Sequence, residues 1–368
     1  MKTFEDLIQE VQKPGLCRQC GGCVSFCRAA HYDALEMGPK GEPRYKDVSR
    51  CSECGLCYLV CPEVNELVEE TRARLSWAEP IGSVDMVCMA RARDPLIREL
   101  STDGGTVTAM LLHLLETRRI DGAIVSRQPG PFQRLPFLAR TKKDILLSAG
   151  AVYAAAPEAS FRGGRCSTYV SSASSLPELE ARGVARAAMV GVPDQILAMR
   201  KMETMHITPS DRIQYYFGLF CSGGFEFGPR RRARLEALGG FSWPQVERVN
   251  LKERLQIHLT GGEQADIPLE RMDFMIRPAC RYCRDYSAEL ADISMGGLGA
   301  PEGWTTVIIR NENGKKAYFE AREAALEEME PSKMEPLRTT ALELIRHYSQ
   351  AKRRRGVKRR AELEATVA

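Results

Sequence analysis

Two runs of cysteine constrain this chain more than any other feature. They read Cys17-x-x-Cys20-x-x-Cys23-x-x-x-Cys27 and Cys51-x-x-Cys54-x-x-Cys57-x-x-x-Cys61-Pro62. Three thiolates separated by two-residue gaps line one tight loop, and a fourth thiolate after a three-residue gap points elsewhere. This is the spacing of paired 4Fe–4S cubanes, in which the fourth cysteine of each run ligates the other cluster. The expected sets are therefore crossed: Cys17, Cys20, Cys23 and Cys61 on one cluster, and Cys51, Cys54, Cys57 and Cys27 on the other. Gly21, Gly22 and Gly55 suit a backbone that wraps closely round a cluster. A zinc ribbon needs four thiolates rather than two runs of four. A disulfide scaffold belongs to short secreted chains. The first run departs from the second in one respect, carrying Arg28 where the second has Pro62.

Each run also has the spacing of a bacterial ferredoxin, so residues 1–78 are expected to form a small ferredoxin-type domain. A chain of 368 residues leaves room for one or two more domains. With 44% hydrophobic and 27% charged residues, a soluble globular class with a sizeable core is expected. The acidic start of the chain does not read as a signal peptide, and no run approaches the ~18 apolar residues of a membrane helix. Thirteen cysteines without an export signal then read as metal ligands in a reducing, cytoplasmic setting. A net charge of +4 is too small to argue for nucleic acid.

Periodicity and breakers outline the remainder. Phe4–Val11 predicts a short helix, Tyr32–Val48 small strands, and Glu63–Arg74 a helix leaving the domain. A second unit spans 84–330. Apolar residues at Val107, Met110, Leu111, Leu114 and Leu115 mark the buried face of a helix, which Ser101, Thr102 or Asp103 would cap. The Gly104-Gly105 pair before it exposes amides suited to a phosphate, or simply turns the chain. Strands follow at Ile120–Ser126, Phe137–Arg140, Ala187–Val192 and Arg212–Phe220. Helices are expected over Lys142–Leu147 and from Pro193. The stretch Ala154–Gly164 reads as irregular. Hairpins are expected at Gly261-Gly262 and at Asn313-Gly314 within Thr305–Glu320. The fold class is α/β with α+β portions. Residues 335–368 read as a helical tail with the stripe Leu337, Ala341, Leu344, Ile345 and Tyr348. Its basic end, Lys352–Arg355 and Lys358–Arg360, is expected to be solvated or to dock an acidic partner.

Five cysteines remain: Cys88, Cys166, Cys221, Cys280 and Cys283. Cys280-Arg281-Tyr282-Cys283 fits half a zinc site, a redox dithiol or part of a cluster. Cys221, at a strand end beside two glycines, could add a third thiolate, with Cys88 or Cys166 as a fourth by composition alone. A lone cysteine is ordinarily a small buried apolar residue, and Cys88 is read that way.

Several segments in order resemble the family of coenzyme F420 hydrogenase/dehydrogenase beta subunits, from about Val84 to Arg310. They are Asp94-Pro95 with Ser101–Thr108, Val190–Ile196, Leu219–Gly223, Arg277–Cys283 with Asp285 and Ala291–Gly296, and Gly303–Arg310. The fused N-terminal cysteine unit makes the chain most similar to the electron-input subunits of reduced-F420 dehydrogenases. The resemblance implies FAD and a third 4Fe–4S cluster, with Cys221, Cys280 and Cys283 as ligands. It also implies flavin contacts among Ser101, Gly104, Gly105, Thr106, Thr108, Tyr169, Asp292 and Gly296. Two positions depart from the family pattern. Asp194 stands where the motif usually has a ligand cysteine, so it is either a fourth, harder ligand or a helix cap. Thr168 stands where a lysine is expected.

The activity implied is an oxidoreductase that passes electrons between reduced F420 and other redox subunits of a larger complex through FAD and three clusters. A ferredoxin is the other electron donor or acceptor, and the reverse direction uses the same wiring. No general acid or base is required. The alternatives are a non-catalytic electron-relay subunit and a ferredoxin-dependent reductase of another small molecule. Neither nucleic acid nor a transmembrane segment is expected; membrane proximity would come through a partner complex.

Overall fold

The computed structural model describes residues 1–130, 133–150, 169–251 and 254–367. The expectations placed on Ala154–Gly164, Cys166 and Thr168 lie outside the described residues. The strands are β1 (Leu35–Met37), β2 (Pro43–Tyr45), β3 (Met86–Ala92), β4 (Gly122–Gly130), β5 (Gln133–Ala139), β6 (Ala187–Gly191), β7 (Ile213–Leu219), β8 (Val246–Leu251), β9 (Arg254–Leu259), β10 (Gln264–Pro268), β11 (Ile293–Gly296), β12 (Thr305–Ile309) and β13 (Leu326–Glu328).

Eight of them form one mixed sheet in the order β13-β3-β12-β11-β7-β6-β4-β5. Its centre is parallel: β4 with β6, β6 with β7, and β7 with β11. Its flanks are antiparallel. Helices cover the sheet, so its central strands are almost continuously apolar, as sheets buried on both faces require. All five residues of β12 are buried. At Gly218 in β7 an added Cβ would lie 2.4 Å from the Ala288 Cβ. The missing side chain lets the loop that follows Cys283 lie on the sheet. β8, β9 and β10 form a separate antiparallel sheet over its own core of Phe225, Phe227, Trp243 and Ile257.

The N-terminal unit shares a core with the large sheet. Phe4, Leu16, Val24 and Phe26 belong to the same apolar cluster as Ile124, Met189, Ile196 and Met199. Polar contacts fix the join. Ser25 Oγ donates to the Ala173 carbonyl at 2.7 Å. The fully buried Lys201 donates to the Cys61 and Val64 carbonyls at 2.8 and 2.6 Å. The expected helix over Glu63–Arg74 is shorter, Val68–Arg74.

Two expectations are overturned. Asn313-Gly314 is no hairpin turn, because β12 leads into a helix, Glu312–Ala324. Asn311 caps that helix by accepting from the Gly314 amide at 2.9 Å. Gly314 serves close approach instead: an added Cβ would lie 2.2 Å from the Asp292 carbonyl oxygen. The basic tail is also not a solvated end. It belongs to one long helix, Pro331–Val367. Ala341 and Ile345 are fully buried, and Tyr348 stacks on Tyr286 with centroids 5.8 Å apart. The buried Lys352 donates to the Cys221 carbonyl at 2.6 Å, and Arg353 pairs with Glu289 at 2.9 Å. Gly356 lets the helix lie against the Tyr282 and Cys283 carbonyls. Only Arg354, Lys358 and Arg359 of the basic run are exposed.

Candidate redox site

Two voids in the N-terminal unit are lined by cysteine. Cys17, Cys20, Cys23 and Cys61 surround one. Cys27, Cys51, Cys54 and Cys57 surround the other. Left-handed glycines start the helices that carry them: Gly21 before Gly22–Ala29 and Gly55 before Leu56–Leu59. An L side chain is strained at such φ values, so glycine is the residue that closes each loop at least cost. The helix Gly22–Ala29 supplies Cys23 to the first void and Cys27 to the second, one turn apart, and thereby joins the two.

All twelve described cysteines are free thiols. Burial pushes the Cys61 and Cys57 thiols up to about 12. Among the described residues no three His, Cys, Asp or Glu side chains converge closely enough for a single ion. A cubane spreads its ligands over four corners, so four thiols round a void fit a cluster and not a lone zinc ion.

A third thiol group lies beside the first. Cys221 follows β7, and its amide donates to the Tyr286 carbonyl at 2.8 Å. Cys280 lies in the short 3-10 turn Pro278–Tyr282 and accepts from the Gly224 amide at 3.3 Å. Cys283 accepts from Arg18 Nη1 at 3.4 Å. Burial raises the Cys221 thiol to about 12, against the pull of Lys352. Burial disfavours the Lys352 charge, but Cys283, Cys221 and Cys280 hold its pKa above the ordinary lysine value.

Asp194 is buried at the second position of the helix Pro193–Thr204. Burial raises the Cys20 and Cys280 thiols, and the Asp194 charge adds to both, most at Cys20, so Asp194 lies within electrostatic reach of the first and third groups. Tyr169 donates its hydroxyl to Asp194 Oδ2. The Arg277 guanidinium lies 4.0 Å from the Tyr169 ring centroid. Cys88 sits apart, buried in β3 against Tyr318.

The expected flavin contacts divide. Gly105, with φ of +76°, precedes the helix Thr106–Glu116. The Gly104 amide already donates to Thr305 Oγ1 at 3.1 Å. The Ser101 hydroxyl donates to Ile97 O and the Thr106 hydroxyl to Ala90 O. What remains for an anion is the first-turn amides of Thr106, Val107 and Thr108, which have no intrahelical acceptor.

Two of the expected contact residues have internal roles. The Asp292 carboxylate accepts from Arg200 Nη2 at 2.6 Å, the Tyr216 amide at 2.7 Å and Asn311 Nδ2 at 2.7 Å. It is an internal hub, saturated by protein donors. Gly296 is explained by packing, since an added Cβ would lie 2.4 Å from the Phe220 ring. Asp292→Leu should cost about 3–5 kcal/mol, because it strands part of a buried guanidinium. The urea unfolding midpoint of the variant checks this.

Comparison with known proteins decides the lineage. Residues 87–161 match the N-terminal model of the coenzyme F420 hydrogenase/dehydrogenase beta subunit, and residues 184–335 match its C-terminal model. The chain belongs to the family of coenzyme F420 hydrogenase/dehydrogenase beta subunits. Residues 9–62 match a 4Fe–4S dicluster domain. The F420 hydrogenase beta subunit of Methanococcus voltae is 30% identical, over 65% of this chain and 81% of its own. A subunit of the F420H2 dehydrogenase of Methanosarcina mazei is 24% identical over 94% of this chain and 92% of its own. The F420-dependent sulfite reductase of Methanocaldococcus jannaschii is 28% identical over 96% of this chain, which spans about half (53%) of that protein. A chain of the F420-reducing [NiFe] hydrogenase complex from Methanosarcina barkeri superposes with a TM-score of 0.66 at 26% identity, covering 78% of this chain and 94% of that one. Among the described residues no helix is long and apolar enough to cross a membrane.

The family motifs pointed to Cys221, Cys280 and Cys283. They did not point to Arg18, Glu63 or Lys352. Arg18 occupies one of the spacer positions inside a cysteine run, and its Cys283 partner is 265 residues away. A basic residue between two cysteines of one run was the only available signal.

Proposed function

We propose that this family member is an iron–sulfur flavoprotein oxidoreductase that exchanges electrons between reduced coenzyme F420 and a partner redox protein. The supporting observation is the placement of three thiol groups in one series of contacts. The third group meets the first at Arg18, and the first shares the helix Gly22–Ala29 with the second. Cys17, Cys20, Cys23 and Cys61 would hold one 4Fe–4S cluster; Cys27, Cys51, Cys54 and Cys57 would hold another. Cys221, Cys280 and Cys283 would hold a third, with Asp194 as its fourth ligand. When bound, FAD and the clusters supply the conversion of a two-electron hydride into single electrons. Cys20, Cys27, Cys57, Cys280 and Cys283 are buried, and each of the three groups keeps at least one partly exposed cysteine, Cys51 and Cys54 among them in the second. By domain, the reading places two clusters in 1–78, the flavin and third cluster in 84–330, and a helix from 335 that braces both.

The FAD pyrophosphate is assigned to the first-turn amides at Thr106–Thr108. Substitution at Gly105 would not test this cleanly: an added Cβ would lie 2.9 Å from Ile97 Cγ2 in a left-handed backbone. Thr108→Asp is the better probe. A carboxylate in the first turn favours the helix by about 0.3–1 kcal/mol yet repels a phosphate. Flavin content should fall severalfold while the iron content stays at the wild-type level. Full FAD occupancy in this variant would move the site elsewhere.

A second reading is an electron-relay subunit that binds no hydride donor. It draws on the internal commitments of Ser101, Gly104 and Thr106. Anaerobic mixing with reduced F420 separates the two: the relay would stay oxidised.

A further inference from the structure

The first and third thiol groups are joined by two arginines that cross in opposite directions. Arg18, between Cys17 and Cys20, is only 8% exposed, and its Nη1 donates to Cys283 Sγ at 3.4 Å. Its Nε pairs with Glu63, two residues beyond Cys61, whose side chain is 4% exposed. From the other side, Arg277 Nη2 donates to the Arg18 carbonyl at 2.9 Å and to Gln19 Oε1 at 2.7 Å. Arg277 Nη1 lies 4.0 Å from Cys280 Sγ. Arg360 of the terminal helix stands 3.7 Å from Glu63 as a second cation.

We propose that Arg18 is a positioning residue that clamps the third thiol group to the first and raises the reduction potential of the cluster held there. This rests on the reading of Cys221, Cys280 and Cys283 as cluster ligands. A buried guanidinium is costly unless its charge is used. Here one arm is spent on Glu63 and another on a ligand sulfur, a division suited to the planar arginine fork. Glu63 is shared between two cations, Arg18 and Arg360, and Arg18 is the one of the three that donates to a thiol of the third group. Reduction of a cluster adds one negative charge. A fixed cation hydrogen-bonded to a ligand sulfur, away from water, stabilises the reduced form and so raises the potential. Lysine, a compact ammonium on a flexible stem, cannot make the forked contact.

The test is a redox titration followed by electron paramagnetic resonance on the full-length, cluster-loaded protein, with Cys280→Ser identifying the third signal by its absence. Arg18→Gln is combined with Glu63→Gln so that no carboxylate is left unpaired, and Arg18→Lys is the milder companion. The expected order of third-cluster midpoints is wild type highest, Arg18→Lys next and the double variant lowest, with wild-type iron content in each. A double variant with full iron and an unmoved third midpoint overturns the inference alone. If only the lysine variant keeps its iron, a midpoint below wild type supports the inference and an equal one overturns it. Wild-type protein with iron for only two clusters overturns both this inference and the third-cluster reading.

Discussion

Replacing Cys280 by serine should lower the iron content from about twelve to about eight per chain, with acid-labile sulfide falling in step, as three cubanes becoming two require. Cys280 is buried, accepts from the Gly224 amide and lies beside Arg277. Serine fills nearly the same space, so the surrounding loop should survive while the soft ligand is lost. The eight N-terminal cysteines lie outside this loop and should keep their clusters. Wild-type protein with about eight iron, unchanged by the substitution, would remove the third cluster from the account.

The crossed arrangement of the N-terminal cysteines has an equally large consequence, visible only in double variants. Cys20 and Cys61 line the same void, while Cys54 lines the other. Cys20→Ala with Cys61→Ala should therefore cost about four iron, no more than either single change. Cys54→Ala with Cys61→Ala should cost about eight, because it damages both clusters. Wiring within each run would reverse the two results, since Cys54 and Cys61 belong to one run. Iron analysis of the two purified double variants decides between them.

The parts of this molecule legible in its sequence were those set by local chemistry. Cysteine spacing indicated the grouping before any coordinate, because two-residue gaps leave a loop few ways to present its thiols. The helix Lys142–Leu147 and the helix opening at Pro193 follow from a capping box and from proline at a first position. What misled was local chemistry put to tertiary use. Asn313-Gly314 has the composition of a turn, but Asn313 reaches the Gln214 carbonyl and Gly314 makes room for Asp292. The basic tail looked solvated because the partners that bury Lys352 and Arg353 are remote in sequence. Its partners, the Cys221 carbonyl and Glu289, lie 131 and 64 residues away. Asp292 showed the converse. It sits in a family motif, yet its carboxylate is consumed by Arg200, Tyr216 and Asn311. Neighbouring motif residues thus serve packing as well as chemistry.

Whether this chain takes a hydride from F420 and hands on single electrons is decided by an anaerobic titration. The FAD- and cluster-loaded protein is titrated with reduced F420 while the visible spectrum is recorded. Oxidised F420 should accumulate as the flavin and iron–sulfur absorbances bleach, with two one-electron equivalents stored for each F420 oxidised. A one-electron dye should then restore the colour. Protein carrying both cofactors that leaves reduced F420 unchanged, yet is bleached by a low-potential one-electron donor, would contradict the proposed function.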